Sequence, residues 1–146
     1  MNAPRSADGI PKIRRVLETA LYCERLEVTT AFFQSLFCAE PLVATERLSA
    51  FDAGGATVLL LFQRGQSLQP LATGGGSLTA HDGTGPTHMA FAIDREDLAA
   101  WETRLAELGI AVESRVPWDR GGVSLYFRDP DHHSIELASP GVWATY

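Results

Sequence analysis

The second half of this sequence repeats the pattern of the first half. A strand pattern, an amphipathic helix and three further strand patterns follow one another in residues 14–63 and again in residues 87–138. At an offset of 70 residues, Arg25 falls on Arg95. A repeated supersecondary unit buries its apolar face against its neighbour rather than alone. The duplication therefore predicts one α+β domain built from two βαβββ modules.

The segments outside the two modules differ from them in composition. Prolines, glycines and polar residues without apolar periodicity are typical of tails and connections. We therefore predict a flexible N-terminal tail over 1–13, a long connecting loop over 64–86, and a C-terminal tail over 139–146 with Trp143 as an aromatic anchor. Connections as long as the middle one often carry function.

The composition is that of an ordinary globular domain. The 146 residues include 18 acidic and 12 basic side chains, and Lys12 is the only lysine. This balance argues against nucleic acid and anionic membrane surfaces as partners. No apolar run is long enough for a signal peptide or a membrane span, so we expect a cytoplasmic protein. Cys23 and Cys38 are too few for a disulfide framework and are expected to be buried.

One polar residue interrupts the first strand pattern of each half. Glu18 lies within Val-Leu-Glu-Thr-Ala-Leu-Tyr-Cys, and His88 lies within Thr-His-Met-Ala-Phe-Ala-Ile. The two residues coincide when the halves are superposed. A polar residue at the same position of a duplicated strand indicates two half-sites that face one cavity.

A third candidate lies in the last strand pattern. The stretch Phe-Arg-Asp-Pro-Asp-His-His-Ser-Ile-Glu-Leu at 127–137 predicts a strand, a tight turn and a new strand. Because side chains alternate along a strand, Glu136 shares a face with the small residues Ser134 and Ala138, opposite its apolar neighbours. His132 and His133 are expected to be exposed in the turn.

These three residues, Glu18, His88 and Glu136, form a carboxylate–imidazole–carboxylate set. Such a set suits a divalent metal such as Zn, Mn, Ni, Co or Fe(II), and three ligands leave positions open for water or a substrate. The absence of cysteine from the set disfavours a structural zinc site. His81 lies in the connecting loop and is a candidate acid–base group, since histidine titrates near neutrality. Candidate substrate contacts are Tyr22, Arg120 and Tyr126.

Three motifs together resemble the vicinal oxygen chelate superfamily, also called the glyoxalase/bleomycin resistance/extradiol dioxygenase superfamily. They are the strand around Glu18, the segment Gly-Pro-Thr-His-Met-Ala-Phe-Ala-Ile, and the turn and strand that end at Glu136. The resemblance implies paired βαβββ modules that curl into an open, barrel-like mixed sheet around a metal cleft, usually in a homodimer. The family's ligand positions fall on Glu18, His88 and Glu136.

The resemblance implies a glyoxalase-like metalloenzyme of the lyase or isomerase type, whose divalent metal acts as a Lewis acid on a small oxygenated substrate. Glu136 or His81 would move the proton. Leu59 or Leu60 occupies the position of a fourth ligand, which counts against a four-ligand glyoxalase I. Two alternatives stay open: a metal-free binding protein of the bleomycin-resistance type, and an extradiol-type dioxygenase, although Glu18 in place of histidine counts against the latter. Glu18 could join the site from the same chain or from a dimer partner.

Overall fold

A computed structural model describes residues 9–146 of the chain, and it contains the duplicated βαβββ unit. Each module has a four-stranded mixed sheet and one long helix. The first module comprises β1 (Glu18–Cys23), α1 (Leu26–Phe37), β2 (Val43–Ala44), β3 (Leu48–Asp52) and β4 (Val58–Gln63). A small hairpin follows, β5 (Leu71–Thr73) and β6 (Gly76–Leu78). The second module comprises β7 (His88–Ala92), a 3-10 turn (Arg95–Asp97), α2 (Leu98–Glu107), β8 (Ser114–Pro117), β9 (Val123–Arg128) and β10 (Ser134–Ala138).

The two sheets have the same strand order. The first sheet runs β1-β4-β3-β2 and the second runs β7-β10-β9-β8. In each sheet the first and last strands of the module pair in parallel, and the other neighbours pair antiparallel. The α+β architecture of two βαβββ modules is therefore confirmed. Among the described residues no strand of one sheet pairs with a strand of the other, so β1 and β7 are both edge strands.

The two modules share one hydrophobic core. The ring of Phe32 in α1 lies 6.5 Å from that of Phe127 in the second module, and the ring of Phe37 lies 5.4 Å from that of Phe91. Full burial of a side chain such as Phe127 contributes roughly 1.5–3 kcal/mol. The core and α1 lie between the two sheets. Each sheet therefore packs one face against the core, and we call its other face the open face.

The backbone conformation marks the ends of the helices. Asp94 has the extended conformation of an N-cap residue before the 3-10 turn, although its side chain makes no capping hydrogen bond. Beyond α2, Gly109 has φ +69°, a left-handed conformation that glycine adopts without strain. Cys38 takes the same role after α1, with φ 52°.

The structure differs from the sequence prediction in the short strands. The 64–86 connection was expected to have no regular structure, yet it contains the β5–β6 hairpin. A turn at Thr73 closes that hairpin, where its Oγ1 donates to the carbonyl of Gly76 and accepts from the amide of Gly75. Three-residue strands beside a glycine run carry too little periodicity to be detected. The sequence pattern also predicts a strand over 110–116, but β8 begins only at Ser114.

The two ends of the described chain differ in how they are held. The predicted N-terminal tail lies partly outside the described residues, and its described part, 9–13, is exposed without regular structure. At the other end, the hydroxyl of Tyr146 donates to the carbonyls of Ile93 and Ala138. Tyr146 is therefore the residue that holds the tail, and the predicted anchor Trp143 is 72% exposed. Within the described part of the chain, no helix is long and apolar enough to cross a membrane.

Candidate metal centre

His88 and Glu136 meet on the open face of the second sheet. Their strands, β7 and β10, are parallel neighbours, and Glu136 lies two residues beyond Ser134, the register partner of His88. The two side chains therefore project from the same face. His88 Nε2 lies 3.2 Å from Glu136 Oε2. The alternation prediction for Glu136 is confirmed, since Ile135 and Leu137 are buried in the core on the opposite side.

The second ring nitrogen of His88 is held by the backbone. Nδ1 lies 2.9 Å from the carbonyl oxygen of Ser134, which can only accept a hydrogen bond. Nδ1 therefore carries a proton, and Nε2 is the ring nitrogen that faces the carboxylate of Glu136. An imidazole nitrogen and a carboxylate oxygen that converge can hold a divalent cation, and metal-bound histidines commonly donate their other N–H to a carbonyl in this way. The donor set fits a divalent metal of borderline or hard character.

A buried hydrogen-bond chain orients Glu136. Trp118 Nε1 donates to Ser124 Oγ at 2.8 Å, and the hydroxyl of Ser124 donates to Glu136 Oε1 at 2.5 Å. Tyr126 lies beside this pair, with its ring centroid 6.2 Å from that of His88. Burial, and then the negative charge of Glu136, raises the pKa of Tyr126. Sequence reasoning missed Ser124, although its position on the face opposite Leu125 is a usable signal.

Glu18 does not join His88 and Glu136 within one chain. It is the first residue of β1 and is exposed on the other module. Within residues 9–146, the only set of three candidate ligands whose donor atoms lie within 4.8 Å of one another is Asp129, Asp131 and His133.

That set serves the turn and the contact between modules. Asp129 Oδ1 accepts from the backbone amides of Asp131 and His133, and its Oδ2 lies 2.7 Å from His133 Nδ1. Asp131 accepts from the amide of Glu24 and the hydroxyl of Thr29 at the start of α1. Each carboxylate oxygen of this set therefore already has a hydrogen-bond partner within the protein. His133 is buried, so the expectation that it is exposed was wrong, while His132 is exposed as predicted.

Tyr22 and His81 meet on the open face of the first sheet. The hydroxyl of Tyr22 lies 2.7 Å from His81 Nδ1, and both rings pack on Phe62. The backbone at Gly83 lies so close to the Tyr22 ring that an added Cβ would be 2.4 Å from it. The His81 amide donates to the carbonyl of Ser67, so the end of the connecting loop is held against the sheet.

The remaining predicted residues lie elsewhere. Arg120 is exposed in the turn before β9. Its side chain does not line the cavity that contains His88 and Glu136. Cys23 is buried, as expected, but Cys38 is exposed because it follows the last turn of α1, so that expectation was wrong.

Comparison with known proteins identifies the family. The sequence profile of the Glyoxalase/Bleomycin resistance protein/Dioxygenase superfamily matches residues 15–137. The two βαβββ modules agree with this match, and the chain therefore belongs to that superfamily.

Several named proteins are similar to this chain. Metallothiol transferase FosB of Bacillus licheniformis is 35% identical over 121 residues, which cover 81% of this chain and 70% of the relative. FosB of Shouchella clausii is 32% identical over 114 residues, covering 77% and 70%. A crystal structure titled lactoylglutathione lyase from Agrobacterium tumefaciens has a TM-score of 0.82 and 30% identity, covering 92% of this chain and 99% of that one.

Proposed function

We propose that this protein is a metal-dependent enzyme of the glyoxalase-like type, which uses a divalent metal on a small oxygenated substrate. The observation that supports this most strongly is the His88–Glu136 pair. Nε2 of His88 and Oε2 of Glu136 converge, while Nδ1 of His88 and Oε1 of Glu136 are held by hydrogen bonds. When bound there, the metal would act as a Lewis acid that polarises a substrate oxygen. Zn, Mn, Ni, Co and Fe(II) all suit one imidazole and carboxylate oxygens.

The third ligand of this proposal is Glu18 from a second copy of the chain. Glu18 and His88 lie on edge strands of separate sheets, and the shared core separates the open faces of those sheets. The open face of one module can therefore meet the open face of the other only between two chains. Val16 and Leu17, beside Glu18, are 67% and 59% exposed, as expected for apolar residues that a second copy would cover. The active form is then a homodimer with two shared sites.

The first module would bring the proton-moving group to this site. Tyr22 and His81 lie on the same open face as Glu18, since Tyr22 follows Glu18 by an even number of positions along β1. Tyr22 holds Nδ1 of His81 and thereby fixes the ring. His81 Nε2 is then the atom that would accept or return a proton at the substrate. Tyr126, beside His88, would contact the substrate from the second module.

The relatives suggest the reaction class. The names metallothiol transferase and lactoylglutathione lyase both refer to a thiol compound, and the first also refers to a metal. We propose that this chain acts on an adduct between a thiol and a small oxygenated molecule, or forms such an adduct. Arg120 is exposed at the turn before β9 and is proposed to contact the outer part of a substrate.

Metal content tests the proposal directly. The protein is purified without chelator, reconstituted with each candidate metal and assayed by elemental analysis, beside His88→Ala and the control His132→Asn. His132 is exposed and has φ 65°, a conformation that asparagine tolerates. We expect about one metal per chain in the wild type and the control, and loss in His88→Ala. If no variant holds metal after reconstitution, a metal-free binding protein replaces the proposal.

A further inference from the structure

The His88–Glu136 pair lies at one end of a cavity with aromatic walls. The cavity has a volume of about 360 Å³ on the open face of the second sheet. Its floor is made of small side chains, because Ala90, Ala92 and Ala138 occupy the positions that follow the pair along β7 and β10. Its walls are the aromatic residues Trp118, Tyr126, Trp143 and Tyr146.

The ionisable side chains that line this cavity are His88, Glu136 and two tyrosines. Among its lining residues, all within the described part of the chain, none is a lysine or an arginine. The guanidinium of Arg95 is used elsewhere, since it donates to the carbonyls of Gly121 and Pro140. Among the residues that line this cavity, a dianionic group such as a phosphonate would find no lysine or arginine. An uncharged planar group would find aromatic faces and a floor free of bulky side chains.

The tail that carries part of the wall is firmly held. Besides the Tyr146 hydroxyl, the backbone of Gly141 packs against Gly122 so closely that a Cβ on Gly122 would lie 2.6 Å from the carbonyl carbon of Gly141. Trp143 projects from this held backbone and remains 72% exposed. A large apolar side chain that a held backbone places beside a cavity and leaves unburied is available for ligand contact.

We infer that this aromatic wall selects a substrate with an uncharged, planar aromatic group next to its metal-binding oxygens, with Trp143 as a specificity-determining residue. The inference rests on the proposed function. It names the substrate class for the same site and disfavours small phosphonates.

Three hydroxamates with one metal-binding head group test the inference. Acetohydroxamate, benzohydroxamate and phosphonoacetohydroxamate are titrated by calorimetry into the zinc-reconstituted protein. They differ only in a methyl, a phenyl or an anionic phosphonomethyl group. We expect benzohydroxamate to bind about 10-fold tighter than acetohydroxamate, and the phosphono compound to bind no tighter than acetohydroxamate. Trp143→Ala should remove the advantage of the phenyl group, so that benzohydroxamate and acetohydroxamate bind this variant with similar affinity. Trp101→Phe, in α2 and outside the cavity, is the matched control.

The outcomes separate the two ideas. If acetohydroxamate binds only with metal but the phenyl group adds nothing, the aromatic-wall inference is overturned and the metal centre stands. If the phosphono compound binds tightest, the inference is also overturned. If the protein neither retains zinc nor binds acetohydroxamate, both ideas fail. A change of oligomeric state in Trp143→Ala, measured by sedimentation, would assign Trp143 to a subunit interface instead.

Discussion

The hydroxyl of Ser124 donates to Oε1 of Glu136 across neighbouring strands, with 2.5 Å between the two oxygens. Because this bond holds one carboxylate oxygen, the other oxygen is turned toward His88. A residue that hydrogen-bonds to a metal ligand fixes the orientation of that ligand and thereby affects metal affinity.

Ser124→Ala should therefore weaken metal binding without abolishing it. The variant keeps both proposed ligands of the second module but frees the Glu136 carboxylate. We expect a loss of about 10–100-fold in zinc affinity, the range found when such supporting partners are removed. Competition with a chromophoric chelator measures it. Ser77→Ala, exposed in β6, should bind zinc like the wild type; equal affinity in all three proteins would contradict the role of Ser124.

The Tyr22–His81 bond should hold the end of the connecting loop. Tyr22→Phe keeps the ring packed on Phe62 but removes the hydroxyl, at a cost of about 1 kcal/mol. Hydrogen exchange of the His81 amide, which donates to Ser67, should then speed up by about fivefold. Tyr126→Phe removes a hydroxyl from the other module and should leave that amide unchanged. Unaltered exchange in Tyr22→Phe would show that the loop is held by other contacts.

Asp131 should stabilise the contact between the modules. Asp131→Ala removes the acceptor for the Thr29 hydroxyl, which is fully buried, and should lower the free energy of unfolding by about 1–3 kcal/mol. Since the cost comes from an unsatisfied buried donor, the double variant with Thr29→Val should lose less than the sum of the single losses. Urea denaturation of the four proteins measures this. Strict additivity would mean that the bond contributes nothing.

The two cysteines should differ sharply in reactivity. Burial, and then the nearby charge of Asp131, raises the pKa of Cys23 to about 12, and the thiolate is the reactive form. At pH 8 a disulfide reagent should titrate one thiol per folded chain, Cys38, and the second only after denaturation. Because the pKa of Cys23 rises on folding, its contribution to stability is complete below about pH 9 and declines as the pH rises toward 12. The Cys38→Ser variant keeps only Cys23, so rapid labelling of this variant in its folded state would contradict the prediction.

The helix α1 and the orientation of Glu136 could be predicted from the sequence. The helical spacing of apolar residues predicts a helix over about 26–37, which is the observed extent of α1. Strand alternation separates Glu136 from Ile135 and Leu137, because one face of that strand is apolar. Both are local properties, and in this chain tertiary contacts agree with them.

The contacts that depend on tertiary packing could not be predicted. His133 is buried because Asp129 accepts from its ring, and nothing in the local pattern distinguishes it from the exposed His132. Sequence symmetry aligned Glu18 with His88, but it does not say whether aligned half-sites meet within a chain or between chains. The shared core through α1 separates the two residues.

A defined mixed dimer tests the central claim most directly. Glu18→Gln and Glu136→Gln chains are co-expressed with different tags, and the heterodimer is isolated through both. If each site takes Glu18 from one chain and His88 with Glu136 from the other, one site has both substitutions and the other has neither. The account predicts that this heterodimer holds about half the zinc of the wild-type dimer, while both variant homodimers hold none. A heterodimer without zinc, or a wild type that binds zinc as a monomer, would contradict the shared site.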